Sequence, residues 1–428
     1  MRKFTVAGLL MTITSFLCAQ DINSIINVQE ARRIENKLAS DEMRGRALYS
    51  PELDKAADFI ASEFKNAGLQ LPPDAKSFRQ EFSMISAKQL TLTATIDHAT
   101  IDPKNVIVIT SQPHVKIDQS SGYETAMLKA GSDYRAEVTK WIGYKKNVII
   151  VVDTSFAKRF TRLASAKSNM FKSDNNVVFV LGTAIPSQFS IDMTNEITEK
   201  KLANVVGILP GKSKKNEYVI FSGHYDHIGV LKNANGADSI FNGANDDAAG
   251  TTAVILLAKY FKKLNNNERT IVFVAFTGEE SGGFGSRYFS NQYDPATVMA
   301  MFNIEMIGTE SKWGKNSAYI TGYERTDMGT ILQKNLEGTG FTFYPDPYPM
   351  QNLFFRSDNA TLAAQGVPAH TISTSKMDSE PNYHRVSDEV STLDLDNMTM
   401  IIKSVALSSR SIVAGKETPG RVKMEESK

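Results

Sequence analysis

Histidines and carboxylates in this sequence gather where apolar runs end. The short run Tyr218–Phe221 is followed by Ser222-Gly223-His224-Tyr225-Asp226-His227. Gly243-Ala244-Asn245-Asp246-Asp247 stands directly before a long helical pattern. The run Thr270–Phe276 leads into Thr277-Gly278-Glu279-Glu280, Met299–Ile304 leads into Glu305, and Asn382-Tyr383-His384-Arg385 stands far downstream. If these runs are strands of one sheet, loops at the same edge converge, and His224, Asp246, Glu280, Glu305 and His384 line one pocket. Carboxylates crowded within a few ångströms raise one another's pKa, and a divalent cation reverses that balance. Nitrogen and oxygen donors without thiolate suit zinc, with cobalt or manganese as substitutes. Five such ligands exceed what one catalytic zinc takes from protein and fit two ions with a bridging carboxylate.

Taken alone, each residue has a plainer explanation. A histidine at a strand end is commonly a surface or satisfied core group, Asp246 with Asp247 reads as a helix cap, and Glu279-Glu280 reads as a solvated turn. Glu305 resists such an explanation, because Ile304 and Met306 flank it and burying an unpaired carboxylate is costly. Five coincidences at successive strand ends are harder to accept than one site. Rival motifs are absent: there is no H-E-x-x-H and no G-x-S-x-G. Gly207-Ile208-Leu209-Pro210-Gly211-Lys212-Ser213 is one residue short of a phosphate loop, and Pro210 lacks the needed N–H, so it reads as a turn.

The elements that must position these groups alternate between strand and helix from Asn204 onward. Ala248–Leu264 carries Ala253, Leu256, Leu257, Tyr260, Phe261 and Leu264 on one helical face, and Thr270–Phe276 is apolar throughout, as a strand buried on both faces requires. Pro368–Ile372 reads as another central strand and Thr392–Val413 as a closing helix. This alternation predicts an α/β three-layer sandwich around a mostly parallel sheet, with its site at the strand ends. Leu53–Ala67 is an amphipathic helix stopped by Gly68. Residues 20–85 read as the N-terminal helical part of the same domain, and 204–415 as its main body. Between them, 86–203 carries β-branched runs at Asn105–Thr110, Asn147–Val152 and Asn176–Leu181 and few chemistry-bearing residues, which predicts a small inserted β-rich domain. Residues 416–428 read as a loose charged tail. Arg2 and Lys3, the uncharged run Val6–Leu17 and Ala19 before Gln20 predict a signal peptide over 1–19 and an exported protein, periplasmic or extracellular. Cys18, the sole cysteine, would be lost with it, which excludes disulfides. A net charge of +1 with no long basic stretch argues against nucleic acid as partner, and no later segment reads as membrane-spanning.

The ordered motifs resemble a known family. Ser40-Asp41-Glu42-Met43-Arg44-Gly45-Arg46 with the helix after it, His224-Tyr225-Asp226, Gly243-Ala244-Asn245-Asp246, Gly278-Glu279-Glu280-Ser281-Gly282, Arg356-Ser357-Asp358 and Tyr383-His384 are similar to successive signatures of the secreted co-catalytic zinc aminopeptidases. The wider fold group also holds glutamate carboxypeptidase and glutaminyl cyclase. The resemblance covers most of the chain after residue 19. It implies two zinc ions, His224 and Glu305 on one, Glu280 and His384 on the other, and Asp246 bridging. It further implies Glu279 as general base, Asp226 as the partner orienting His224, and Tyr383 as a stabiliser of the oxyanion. Peptides with free N-termini are the implied substrates; carboxypeptidase, glutaminyl cyclase and non-catalytic binding remain alternatives on the same scaffold. Two positions depart from the pattern: Glu305 stands where most members carry Asp, and Asn359 where His is common. The inserted segment sits where relatives carry a protease-associated domain.

Overall fold

A run of aromatic and β-branched residues from Tyr218 to Phe221 forms the middle of a longer strand than its apolar stretch suggests, Lys214–His224. In the computed structural model, which describes residues 22–232 and 237–423, this strand pairs in parallel with Arg269–Phe276 on one side and Val298–Ile304 on the other. Ala369–Ser373 continues the parallel array beyond Val298–Ile304. Ser317–Ile320 then pairs antiparallel with Ala369–Ser373 and parallel with Thr342–Pro345. On the opposite side, Val205–Leu209 pairs antiparallel with Arg269–Phe276. The sheet is therefore mostly parallel.

Side chains alternate across it, and helices cover both faces. Phe221 stacks on Phe273, Phe302 and Phe261, the last from the buried helix Ala249–Leu264. Ile220, Val272, Val274 and Met301 point the other way and pack with Phe289 and Leu362, which belong to the helices Phe284–Ser290 and Asn359–Ala363. Gly223 lets the long helix approach: a Cβ there would stand 2.8 Å from the Gly250 carbonyl carbon. The helices Val28–Leu38 and Pro51–Asn66 are capped by Asn27 and Ser50, each accepting a backbone N–H. The closing helix begins at Leu395, later than Thr392, because the Asp394 carboxylate caps it by accepting the Asn397 N–H at 3.0 Å.

The chain divides into two compact units: the described residues up to Glu81 with those from Ala203 onward, and Phe82–Leu202. The second unit has a four-stranded sheet in the order Val106–Ile109, Val177–Leu181, Val148–Val152, Glu124–Leu128. It also carries the helix Tyr134–Ile142, which the apolar pattern did not reveal. The tail is not loose as far as Lys423. Arg421 donates to the Pro295, Ala296 and Val298 carbonyls, each at 2.9 Å, and the Val422 N–H donates to Gly366. Charge suggested solvation there, whereas the guanidinium found carbonyl partners and Val422 is buried. The signal-peptide segment lies outside the described residues. Among the described residues, no helix is long and apolar enough to cross a membrane.

Candidate metal centre

Register brings the site together. His224 is paired with Phe276 and Ser222 with Asn303, so the parallel strands end side by side. The segments that leave these strands therefore share one edge: Tyr225–His227, Thr277–Glu280 and Glu305. Asp246 arrives from a wide turn, Ala244–Ala248, at the head of the long helix, entered through Gly243 at φ +57. The peptide joining Asp246 to Asp247 is cis. His384 comes from the loop after Ala369–Ser373, with φ +55, and Met306 beside Glu305 has φ +52; both are uncommon conformations for residues with a Cβ.

Ligand-type atoms converge in two groups that share Asp246. One atom each from His224, Asp246 and Glu305 lie within 4.8 Å of one another, and so do atoms of His227, Asp246 and Glu280. His224 Nε2 is 3.2 Å from Asp246 Oδ1. His384 Nε2 is 3.3 Å from Asp246 Oδ2 and 3.2 Å from Glu280 Oε2. His227 Nδ1 is 2.7 Å from Glu280 Oε1. All five residues expected to bind metal are thus brought together. The donors fit a cation better than they fit one another. His224 Nε2, both ring nitrogens of His227, Glu280 Oε1 and Glu305 Oε2 are buried and none is aligned in a hydrogen bond. Donors held at about 2.0 Å by one tetrahedral ion stand about 3.3 Å apart, close to the 3.2–3.3 Å of the His224–Asp246, His384–Asp246 and His384–Glu280 pairs, whereas His227 Nδ1 and Glu280 Oε1 are closer, at 2.7 Å.

The backbone around these residues is held by carboxylates outside the two converging groups. Asp247 accepts the N–H groups of His224, Gly250 and Met306 at 3.0–3.1 Å, tying two strand ends to the helix. Asp388 accepts the N–H groups of Asn245 and Asp246 at 2.9 and 3.0 Å and fixes the residue that the two groups share. Beneath Glu305, Ser222 donates to Asn303 Oδ1, and Asn303 donates to Ser357 Oγ, both at 2.7 Å. Asp226 meets His224 chiefly through its backbone carbonyl, 3.1 Å from Nδ1, with its carboxylate 3.9 Å away. That carboxylate instead accepts the Glu279 N–H at 3.2 Å. Tyr383 stacks on the His384 ring at 4.0 Å and lines, with Glu305, Tyr319, Leu353, Arg356 and Met377, a cavity of about 40 Å³.

Electrostatics show what the cluster costs when it faces itself alone. Burial holds the Glu279 carboxyl well above the usual range; His224 opposes the shift, and Glu305 and Asp358 reinforce it. Burial likewise raises Glu305 to about 7. His384 goes up to about 10 through its contacts with Asp246 and Glu280. A divalent cation reverses this logic by favouring ionised carboxylates and neutral imidazoles. Sequence reasoning gave no role to His227, Asp247, Asp358 or Asp388. The spacing of His227, three residues after His224, was the one available signal. Asp388 had none, because only the folded loop brings it to Asp246.

An α/β sandwich whose strand ends gather imidazoles and carboxylates in this way presents a candidate site for metal ions. Residues 204–408 match peptidase family M28. A probable leucine aminopeptidase of Trichophyton verrucosum is 28% identical over 46% of this chain and 53% of its own length. A probable zinc metalloprotease of Pyrenophora teres f. teres is 36% identical over 25% of this chain and 23% of its own. The chain thus spans about half, or less, of the length of these relatives. The aminopeptidase from Aneurinibacillus sp. strain AM-1 shares the fold with a TM-score of 0.55 at 18% identity, covering 95% of this chain and 98% of its own.

Proposed function

We propose that this chain is an exported metallo-aminopeptidase that binds two zinc ions and releases N-terminal residues from peptides. The observation that carries the reading is the placement of Asp246, whose Oδ1 faces His224 and whose Oδ2 faces His384. One carboxylate between two ligand groups is the arrangement a bridged pair of ions requires. Zinc bound there, or cobalt or manganese in its place, supplies Lewis acidity and lowers the pKa of a water toward neutrality. Glu279 takes the proton of the attacking water and returns it to the leaving amine. Asp226 holds that base in register through the Glu279 N–H. The Tyr383 hydroxyl, beside Glu305 at the cavity, donates to the developing oxyanion. The names of the relatives, aminopeptidases among them, support the same substrate class.

The test is hydrolysis of matched short peptides by the zinc-supplied protein, one set with free N-termini and one acetylated with free C-termini. Cleavage of the free set alone is expected. Arg356 at the cavity favours a second reading, carboxypeptidase action with Arg356 anchoring a C-terminal carboxylate, and cleavage of the acetylated set would establish it instead. Absence of both, with zinc bound, would direct attention to cyclisation of N-terminal glutamine and then to a binding role. Export is checked by sequencing the N-terminus of protein recovered outside the cytoplasm: a start at Gln20 is expected, and an intact Met1 would remove that part of the proposal.

A further inference from the structure

The co-catalytic resemblance assigns five ligands, yet a third imidazole reaches the same centre. His227 is carried three residues past the end of the Lys214–His224 strand, and its backbone N–H donates to the Arg46 carbonyl at 3.3 Å. Its side chain is fully buried, whereas that of His384 is 39% exposed. The ring has been given room at a specific place. A Cβ on Gly243 would stand 2.6 Å from the His227 ring, and Gly243 is the residue that leads into Asp246. Nδ1 lies 2.7 Å from Glu280 Oε1, but neither ring nitrogen is aligned in a hydrogen bond with a protein group. Nδ1 thus faces a carboxylate, while Nε2 is buried with no partner and carries the desolvation penalty of that atom, which an apolar residue at this place would avoid. The two carboxylate oxygens of Glu280 are divided, Oε1 toward His227 and Oε2 toward His384.

We infer that His227 is a sixth protein ligand of the centre, on the ion position formed by Asp246, Glu280 and His384. The inference builds on the two-ion reading above and makes the two positions unequal. Asp246, Glu280, His227 and His384 fill four places around one ion, which is a closed set for zinc. His224, Asp246 and Glu305 supply three to the other and leave a place for water or substrate. The closed position then serves chiefly to hold Asp246 and the His384 loop, and the open position exchanges its ion more readily.

The test is metal binding by the full chain, followed by competitive zinc titration and by the visible spectrum of cobalt. The wild-type chain is expected to take up two ions in two separable steps. His227→Asn and His227→Gln are expected to weaken the tighter step by at least about 10–100-fold and to change the intensity of the cobalt bands. Matching melting curves of the metal-free variants and the metal-free wild type establish that both fold. As a check free of substitution, the wild type is loaded with a spin-half cadmium isotope and its imidazole nitrogens observed. Splitting of three imidazoles by the metal is expected, and splitting of two alone overturns the assignment. Wild-type affinity and an unchanged cobalt spectrum in both variants overturn it as well, since a residue that merely orients Glu280 leaves the coordination number intact. A wild-type chain that binds one ion sinks the two-ion reading instead; the effect of His227→Asn on that single ion's spectrum still decides whether His227 is a ligand.

Discussion

Two neighbouring regions of the larger unit bury charge, and they do so in opposite ways. Arg46 is fully buried, and its guanidinium is consumed by the protein: Nε donates to Tyr225, Nη1 to Leu38 and Asn242, and Nη2 to Gly243, all at 2.6–2.9 Å. Around Asp246 the imidazoles and carboxylates pair with one another only in part: His224 Nε2, both ring nitrogens of His227, Glu280 Oε1 and Glu305 Oε2 are buried with no aligned hydrogen bond. The first arrangement is finished by the fold alone and serves as a strut that ties the loops before His227 and Asp246 to the Val28–Leu38 helix. The second is finished by a cation. Buried polar atoms with protein partners mark architecture, and buried polar atoms that converge without them mark a ligand site.

The contrast is tested most severely at Glu279, which sits at the unsatisfied centre but is assigned no metal. Glu279→Gln is expected to lower kcat by about 10²–10⁴-fold with zinc content unchanged, measured by steady-state kinetics beside metal analysis; loss of metal in the variant would make Glu279 a ligand. At the strut, Arg46→Met leaves its carbonyl partners unpaired. With each unpaired buried carbonyl costing about 1–3 kcal/mol, a loss of several kcal/mol is expected in urea unfolding, and it should persist when metal is chelated. If chelation erases the difference, the strut and the metal centre are one cooperative element.

Glu35, on the helix beside the strut, sharpens the comparison from the other side, because burial raises its carboxyl to about 8 and Thr252 and Arg46 only partly offset the shift. Below the ordinary glutamate pKa of 4.5 the group is protonated both folded and unfolded. Between 4.5 and about 8 the unfolded chain releases the proton while the folded chain keeps it, so stability falls as pH rises through that window. Glu35→Gln should flatten this part of the stability profile of the metal-free protein, a change on the order of a few kcal/mol. An unaltered slope would show that Glu35 is ionised in the fold. Stripping zinc with a chelator is expected to lower stability by about 2.7 kcal/mol when compared with free zinc at one hundred times Kd, read as a fall in melting temperature. No change would mean that the donors around Asp246 are content without a cation.

Part of the site was legible because His224, Glu280 and Glu305 stand at or just past strand ends, whereas Asp246 heads a helix and His384 lies in a loop. The apolar runs Thr270–Phe276 and Met299–Ile304 correspond to strands within a residue of the observed limits, since strands buried on both faces have to be apolar throughout. Lys214–His224 was seen only in its core, because its first residues pair at a sheet end where polar side chains meet solvent. The role of Asp226 shows the limit most clearly. Its position after His224 suggested a carboxylate–imidazole contact, but the turn aims its carbonyl at His224 and its carboxylate at the Glu279 backbone.

The sequence by itself pointed to five of the side chains that converge, to the alternation of strand and helix and hence to the edge where they gather, because residue type and hydrophobic period are local properties of the chain. Only the tertiary structure decided which carboxylates face metal and which face backbone. Asp246 and Asp247 are adjacent and chemically alike, yet one points into the cluster and the other accepts three N–H groups. The same holds for His227 and Asp388, whose partners Glu280 and Asp246 lie far off in the chain. Distance along a sequence carries no information about such contacts, since it is the register of the parallel strands that brings their loops to one edge.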